Sequence, residues 1–402
     1  MNMQTVSVPT INQPWSDPRL SADPPAVLNP IRELGPVVYN QAHDEYAITT
    51  YDAVTEVLAN TARFNSASLD QIIRHMFGGV TMMGVDDKER HGEVRGVWSK
   101  AFRRDTLEQR RAMIESVLDI RLTPLIQRIR SGETVDAISS AVRSIPTLVI
   151  ARMLNLDPDR HDDFNRWSDA QVALVSGGFD ESPRGQERVA EGQSATRDMN
   201  EHVAVEIRDR QARPSDDLIS LMANADLGLS DRDLVASVTQ LVVAGNETTA
   251  RLMGHALVVF AQNPEQRELV RKDRSLVRPA IEELLRYETV VQWFTRRVVD
   301  DTKLAETPLP AGAVVAVMLG AANRDPARWE APDVFDVTRP PQNHVAFGFG
   351  LHSCLGLNLS RLELECFLNR LLDEIPGWDL AEPPDYGMSF PVRGPERVVV
   401  RA

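Results

Sequence analysis

The segment at residues 344–363, HVAFGFGLHSCLGLNLSRLE, constrains the fold more than any other part of this chain. Three glycines surround Cys354, and glycine permits tight turns and the close approach of a flat group to the backbone. A helical pattern of apolar residues follows at once. A helix N-terminus offers free N–H groups and a positive dipole end, which stabilise a thiolate. The segment therefore predicts a functional cysteine at the start of a helix.

The residues around Cys354 leave three roles open. It could be a buried structural thiol, a catalytic nucleophile, or a ligand to the iron of a haem. A nucleophile needs a partnered histidine, and His352 is the nearest one in sequence. Cys366 falls among leucine and phenylalanine in the following helix, and we expect it to be a small core residue.

Composition limits the class of protein. Two cysteines in 402 residues argue against a disulfide framework and cannot hold an iron–sulfur cluster. The N-terminus lacks the pattern of a signal peptide, and no apolar run reaches the length of a membrane span, so we expect a cytoplasmic protein without a membrane partner. The net charge of −14 argues against nucleic-acid binding, which needs concentrated positive charge.

The distribution of apolar residues predicts a mainly α fold with a small β lobe (α+β). Strand-like runs occupy residues 36–39, 46–50 and 313–318, and a helix is expected at 50–58. Residues 388–391 and 398–401 are expected to be further strands or loops. Helical spacing dominates residues 89–263, with breaks at 132–137 and 176–185. No linker or repeat divides the chain, so we expect one domain over residues 1–402, of which 1–30 form an irregular N-terminal segment.

One predicted helix is unusually long. It begins with a capping-box-like Ser230 and Asp233 and continues to Asn263, before Pro264, over more than 30 residues. Its centre, residues 244–249, reads AGNETT and places polar groups inside an apolar stripe. Either Glu247 faces water and the threonines bond to backbone carbonyls, or the cluster has a function that offsets the cost of burial.

Five motifs together resemble the cytochrome P450 family. Residues 347–356, FGFGLHSCLG, match its F-x-x-G-x-H-x-C-x-G signature. The others are His91 with Arg95, the AGNETT segment, Glu283 with Arg286 in an E-x-x-R helix, and the NRDP sequence at 323–326. An E-x-x-R pair by itself also occurs on surface helices, but the five follow the family's order and spacing from residue 91 to 356.

The resemblance implies a helical bundle around a buried haem b, with Cys354 as the axial thiolate that favours O–O cleavage. It assigns the haem propionates to His91, Arg95, His352 and Arg296, with Arg297 as the competing choice for the last. It also implies haem contacts for Ala244, Phe347, Gly348 and Gly356. Glu247 and Thr248 match the acid–alcohol pair that delivers protons during oxygen activation, and Glu283 and Arg286 are expected to be structural.

The implied activity is that of a soluble bacterial haem-thiolate monooxygenase, which inserts one atom of O2 into an apolar substrate by hydroxylation, O-dealkylation or epoxidation. The chain has no G-x-G-x-x-G fingerprint, so an external ferredoxin with its NAD(P)H-dependent reductase is the expected electron donor. A basic stretch is either its docking surface or a solvated helix face: Lys100, Arg103, Arg104, Arg110 and Arg111. A peroxide-driven haem-thiolate enzyme and a non-catalytic haem sensor are the alternatives.

The substrate pocket is assigned by position along the chain, and core packing would use the same apolar residues. The family often has proline at the position of Val290 and before the acidic residue that precedes His91, so this chain departs from the pattern beside the pocket. The candidates are Ile72, Ile73, Met76, Phe77, Val80, Met82, Val172, Leu174, Val175, Val243, Val291, Trp293, Phe294, Met388 and Phe390.

Overall fold

Helices form most of the chain and follow the segments with helical spacing of apolar residues. A computed structural model describes residues 8–177, 182–375, 377–388 and 390–402. The α-helices are α1 (Arg19–Ala22), α2 (Pro24–Glu33), α3 (Tyr51–Ala59), α4 (Ala67–Phe77), α5 (Lys88–Ser99), α6 (Arg104–Glu108), α7 (Arg111–Arg130), α8 (Ser144–Met153), α9 (His161–Gly177), α10 (Pro183–Ala212), α11 (Leu218–Ala223), α12 (Asp231–Gln262), α13 (Pro264–Lys272), α14 (Val277–Tyr287), α15 (Leu319–Ala322) and α16 (Leu357–Glu374). Shorter 3-10 turns lie at Met82–Gly84, Pro158–Arg160, Arg274–Leu276 and Gly350–His352, and a π turn lies at Ile138–Val142.

The strands form the small β lobe that the sequence predicts. They are β1 (Thr10–Ile11), β2 (Val37–Asn40), β3 (Glu45–Ile48), β4 (Phe64–Asn65), β5 (Val135–Asp136), β6 (Phe294–Val298), β7 (Thr302–Leu304), β8 (Thr307–Leu309), β9 (Val314–Val317), β10 (Asp379–Leu380) and β11 (Val399–Arg401). Within the described ranges, the main sheet has the order β1-β2-β3-β9-β6-β4. Strand β9 runs parallel to β3 and antiparallel to β6, and its Val315 lies opposite Arg296.

Helix α12 is the central element of the helical part, as the sequence predicts. The Ser230 hydroxyl caps it by accepting from the Asp233 N–H, and the helix ends at Gln262 before Pro264. It packs against α8, α9, α10 and α16, so its central turns are surrounded by other helices. None of the helices in the described part of the chain is both long and apolar enough to cross a membrane.

The N-terminal segment corrects one expectation. Residues 1–30 were expected to be irregular, but from residue 8 onward they include β1, α1 and most of α2. Pro24 occupies the first turn of α2, where its missing N–H costs nothing, so a proline-rich sequence still forms a helix. Trp15 and Leu20 are 2% and 0% exposed and pack into a core cluster with the main sheet. The segment is therefore part of the folded core.

The NRDP motif ties the segment that carries Cys354, residues 344–356 or the cysteine loop, to two helices. The Asn323 amide donates to the Thr289 hydroxyl at 2.8 Å, and its oxygen accepts from the backbone N–H of Val345 at 2.8 Å. The Asp325 carboxylate accepts from the N–H of Tyr51, the first residue of α3, at 2.9 Å. These bonds hold the start of the cysteine loop against the end of α14 and the start of α3.

The E-x-x-R pair on α14 is the most deeply buried ion pair of this region. Glu283 and Arg286 side chains are 4% and 2% exposed and form two hydrogen bonds of 2.8 Å. Arg286 also donates to the carbonyl oxygens of Asn323 and Pro332, at 3.0 and 2.8 Å, while Arg339 donates to Glu283 at 3.1 Å. The hydrogen bonds of the Glu283–Arg286 pair support the structural role expected from the sequence.

A second E-x-x-R pair in the same chain provides a matched control for a stability prediction. Arg286→Ala leaves Glu283 buried with one cation fewer, and we expect it to lower the free energy of unfolding by about 3–5 kcal/mol. Arg271 pairs with Glu268 at the same spacing on α13, but their side chains are 38% and 39% exposed. Arg271→Ala is therefore expected to change stability little. Denaturant unfolding followed by circular dichroism measures both, and equal effects would refute the structural role of the buried pair.

Candidate active site

The cysteine loop is closed by its own backbone. The Cys354 N–H donates to the carbonyl oxygen of Phe347 at 2.8 Å, and the Gly348 N–H donates to that of Val345 at 2.9 Å. Gly350 has φ +71°, and a Cβ on it would lie 2.8 Å from the carbonyl oxygen of Leu58 at the end of α3. The loop thus reaches α16 through a turn that only glycine fits.

Helix α16 supplies hydrogen-bond donors to the cysteine sulfur. The backbone N–H groups of Gly356 and Leu357 bond to the Cys354 thiolate and favour its charged form. Burial acts in the opposite direction and is the larger effect, so the pKa of the Cys354 thiol is raised above its ordinary value. Arg95 and Arg361 add positive charge nearby. A metal ion at the sulfur would complete this charge balance, since a coordinated thiol is deprotonated outright.

Histidines and an aspartate meet beside the loop. His91 is 2% exposed, and its ring packs edge-on against that of His352 with centroids 4.9 Å apart. Burial first, and then the charges of His352 and Arg95, lower the pKa of His91 to about 4. His352 Nε2 lies 3.1 Å from Asp86, whose carboxylate also accepts from the backbone and hydroxyl of Ser66. The structure therefore brings His91 and His352 together as the resemblance implies.

The structure distinguishes the two candidate arginines on β6. Arg296 is 4% exposed, and the hydrogen bond it donates goes to the adjacent Thr295 carbonyl at 2.9 Å. Burial lowers the pKa of Arg296 to about 10, opposed by the charge of Asp86. Arg297 points to the other side of the strand, where it donates to the Gly312 carbonyl at 3.0 Å in an exposed position. Arg296 therefore lies near the histidine cluster and Arg297 does not.

The residues fit a dianionic cofactor. Arg95 and Arg296 have both lost hydration, and within the described ranges neither has a carboxylate within 4 Å. A buried guanidinium without an anion is costly, so this cluster is complementary to carboxylates from outside the chain. A thiol with backbone donors lies nearby, within the electrostatic influence of Arg95. Iron protoporphyrin IX carries both the metal and the two propionates that this arrangement matches.

Two polar residues at the centre of α12 face neighbouring helices. Asn246 is 2% exposed and hydrogen-bonds to the Thr147 hydroxyl on α8. Thr249 is 5% exposed, and its hydroxyl lies 3.4 Å from that of Ser360 on α16. These two contacts fix the rotation of α12 and connect it to the helix that follows the cysteine loop.

The predicted acid–alcohol pair, Glu247 and Thr248, lies between these two residues. The Thr248 hydroxyl donates to the Ala244 carbonyl at 2.9 Å, so one part of the back-bonding alternative is realised. The Glu247 side chain is only 12% exposed and pairs with Arg251 at 2.7 Å, so it does not simply face water. Ala244 is exposed although its neighbour Val243 is 3% exposed. The helix therefore opens one face at Ala244, four residues before Thr248.

Phe347 is held by side chains that sequence reasoning did not identify. The Arg361 guanidinium lies 4.8 Å from its ring centroid, and the His344 ring lies 6.0 Å away. Both partners bind Glu282, through bonds of 2.6 Å from Arg361 and 3.2 Å from His344. Glu282 adjoins the E-x-x-R glutamate, and this adjacency was the only sequence signal available for it.

The candidate pocket residues fall into several environments. Ile73, Phe77, Met82 and Val243 are at most 8% exposed and belong to the main core cluster, with Met76 packed against it. Leu174 is buried against Gly192, Val80 donates its backbone N–H to Asp233, Val291 bridges to Val392, and Phe294 lies 4.6 Å from the Arg296 guanidinium. The side chains of Ile72, Val172 and Val175 lie outside the described part of the structure.

Trp293 and Phe390 pack with the N-terminal segment. Their rings lie 6.1 Å apart and 5.9 and 6.2 Å from that of Trp15, and both are at most 6% exposed. This packing accounts for their burial without any ligand. Met388, in contrast, is 40% exposed and lines a cavity beside Glu247.

The chain resembles curated proteins along most of its length. A family model described as cytochrome P450 matches residues 183–375. Cytochrome P450 107B1 of Saccharopolyspora erythraea is 36% identical over 330 residues, which make up 80% of this chain and 77% of that protein. The steroid C26-monooxygenase of Mycobacterium tuberculosis is 32% identical over 342 residues, or 84% of this chain and 89% of that protein.

Solved structures share the fold. P450BioI, crystallised with an acyl carrier protein ligated to hexadec-9Z-enoic acid, superposes with a TM-score of 0.86 at 26% identity over 96% of this chain and all of that one. CYP109E1 from Bacillus megaterium, in complex with testosterone, gives 0.85 at 27% identity over 96% and 99% of the two chains. The identity to curated relatives and the shared fold show that this chain belongs to the cytochrome P450 family of haem b monooxygenases.

Proposed function

We propose that this monooxygenase inserts one atom of O2 into an apolar organic substrate, with electrons supplied by a ferredoxin. The observation that carries the proposal is the acid–alcohol pair on α12, where Glu247 is sequestered with Arg251 and Thr248 lies on the turn that opens at Ala244. Neither a peroxide-driven enzyme nor a haem sensor needs such a pair, because only the reduction of O2 by electrons consumes protons at this point.

Two groups of residues would bind the cofactor: the cysteine loop, and the cluster of histidine and arginine side chains beside it. Cys354 would hold the iron, while His91, Arg95, Arg296 and His352 would hold the propionates. Bound haem supplies the activation of O2 and the transfer of one oxygen atom to the substrate. The two arginines would supply positive charge to the propionates, and the ring N–H groups of His91 and His352 would add hydrogen bonds.

Thr248 and Glu247 move protons. The Thr248 hydroxyl donates its hydrogen bond to the Ala244 carbonyl, so its oxygen is available to accept a hydrogen bond from a water at the turn that begins at Ala244. Glu247, next to it, is held by Arg251 and borders a cavity on its other side. A carboxylate in this position can pass protons from the cavity to the threonine side of the helix.

An apolar substrate suits the side chains near this turn. Val243, a core residue, precedes Ala244 along α12, and the half-buried Phe294 ring lies 4.6 Å from the Arg296 guanidinium. One relative is named as a steroid C26-monooxygenase, and one structural neighbour was solved with testosterone. Another neighbour was solved with a fatty acid on a carrier protein. Large apolar skeletons, including steroids and long acyl chains, are therefore the substrate classes to screen first.

The proposed donor surface lies behind the cysteine loop. Asn358, in the first turn of α16, donates to the Phe102 carbonyl at 3.1 Å and so anchors the corner between α5 and α6. Lys100, Arg103 and Arg104 are exposed at this corner. Arg103 pairs with the exposed Asp105 at 2.7 Å, and the less exposed Arg111 is engaged by both Glu108 and Glu365, which leaves Arg111 less available to a partner. An acidic ferredoxin would dock on the corner close to the thiolate.

The spectrum of the reduced protein with carbon monoxide tests the ligand assignment. We expect a Soret band strongly red-shifted from that of a histidine-ligated globin, because the thiolate donates electron density to the iron. Cys354→Ala should abolish this band, whereas Cys366→Ala should keep it, since Cys366 is a core residue on α16, 5% exposed. A red-shifted band that survives Cys354→Ala would remove this cysteine from its role.

Adjacent threonines allow a controlled test of proton delivery. Thr248→Ala should uncouple electron use from product formation by about 10-fold and release peroxide, because the water that Thr248 holds would be lost from the proton path and positioned proton transfer contributes rate factors of at least this size. Thr249→Ala deletes the same hydroxyl from the face bonded to Ser360 and should leave coupling unchanged. The measurement is product and peroxide formed per reduced nicotinamide consumed, with surrogate ferredoxin and reductase. Unchanged coupling in Thr248→Ala would contradict the role.

Charge reversal tests the donor surface. Arg103→Glu with Arg104→Glu should slow reduction by ferredoxin about 10-fold at low salt, since rim charges act mainly on association rates. Arg166→Glu with Arg213→Glu makes the same change in net charge on arginines that are 64% and 79% exposed on α9 and after α10. Stopped-flow reduction compares the two. Equal rates in both variants would show that the corner is a solvated helix face.

A further inference from the structure

Glu247 has a second acidic neighbour. Asp169, on α9, hydrogen-bonds to the Glu247 carboxyl, and it also lies 3.4 Å from Arg143. Two carboxyl groups within hydrogen-bonding distance cannot both ionise without a large repulsion, so they share a proton. Burial, followed by the negative charge of Glu247, raises the pKa of Asp169 to about 7.

A cavity of about 190 Å³ connects this carboxyl pair with the surface. Asp169 and Glu247 line it together with charged groups from four parts of the chain: Arg143 before α8, Arg188 on α10, Arg251 on α12 and Glu396 near the C-terminus. The Glu247 side chain is 12% exposed, whereas those of Asp169 and Arg143 are 35% and 47% exposed. The cavity is polar and roomy enough for several waters, and exposure rises from Glu247 to Arg143.

The arginines balance the pair. Arg251 binds Glu247 at 2.7 Å, and Arg143 faces Asp169. With one shared proton, the four groups carry a net charge of about +1, and with none they are neutral. The site therefore tolerates both protonation states, as a group that gains and loses a proton in each turnover must.

We propose that Asp169 is a positioning residue for proton delivery, which holds the proton shared with Glu247 and replaces it from the water-accessible cavity. This role rests on the proposed function, because it adds a residue to the proton delivery by Glu247 and Thr248. In each transfer the Asp169 carboxyl gives its proton to the Glu247 carboxylate, Glu247 releases it towards Thr248, and the Asp169 carboxylate takes another from cavity water. No electrons move, and the two carboxyls end in the state in which they began.

Infrared difference spectroscopy tests the shared proton without any turnover. Between about pH 6 and about pH 8 the wild-type holoenzyme should lose protonated-carboxyl absorbance from two groups, Asp169 and Glu45, because burial raises the pKa of Glu45 to about 7 as well. Asp169→Asn keeps the shape and the hydrogen-bond donor but should lose the Asp169 part of this change and keep the Glu45 part. Asp162→Asn makes the same substitution on an exposed residue of the same helix and should keep both parts. An absorbance change of wild-type size in Asp169→Asn overturns the proposal.

The pH profile of coupled turnover tests the delivery. In the wild type, product formation should decline as the pH rises through about 7, because Asp169 loses its proton there. Asp169→Asn should be slower by about 10-fold at pH 7 and should lack this decline, and Asp169→Glu should restore both. An unchanged profile in Asp169→Asn would refute the delivery role. If the wild type fails to oxygenate any substrate, the proposed function fails, while the infrared result still decides on the carboxyl pair.

Discussion

A negative charge on sulfur inside a protein has to be compensated, and much of this fold is arranged around that requirement. Burial raises the pKa of Cys354, while two backbone N–H groups of α16, Arg95 and Arg361 favour the thiolate. The backbone donors exist only if the chain enters α16 directly after the cysteine, which requires the closed loop before it. Asn323 in turn holds the first residues of this loop against α14. The thiolate therefore depends on a continuous set of hydrogen bonds from the loop to the E-x-x-R helix.

Buried and half-buried charges elsewhere in the chain fall into three cases. Glu283, Arg286 and Arg339 pair with one another, and backbone groups around them take up their remaining hydrogen bonds. Arg296 is buried and Arg95 is half-buried, and neither has a carboxylate partner in the described part of the chain, which is costly unless a ligand supplies the anion. The carboxyl pair of Asp169 and Glu247 is a third case, since its charge changes with a proton. In the second and third cases the missing or shared charge lies at the proposed sites of cofactor binding and proton delivery.

Sequence reasoning predicted the parts of the site that lie within short motifs. The position of Cys354 at the start of a helix, the length and cap of α12, and the pairing of Glu283 with Arg286 all follow from local spacing. Asp86 and Asp169 were not predicted. Asp86 lies in the turn before α5 and Asp169 lies on α9, and both reach the site through tertiary contacts that no local pattern encodes.

The prediction for the N-terminal segment was wrong for a related reason. Its prolines suggest an irregular chain, whereas in the structure α2 starts at Pro24 and Trp15 is buried. Trp293 and Phe390 show that an apolar residue near a motif is as readily core as pocket. The single-domain assignment stays a prediction.

The two glycines before the cysteine differ in what they allow an engineer to change. Gly350 has a positive φ and also lies against the Leu58 carbonyl, so both its conformation and its surroundings exclude a side chain. Gly348 has φ +69°, but a Cβ there would meet only the His352 carbonyl oxygen, at an ordinary 3.8 Å. Asparagine adopts positive φ more readily than other residues with a side chain. Contacts within the chain therefore fix glycine at position 350, whereas at position 348 they leave room for asparagine, and glycine there is required only as far as the cofactor requires it.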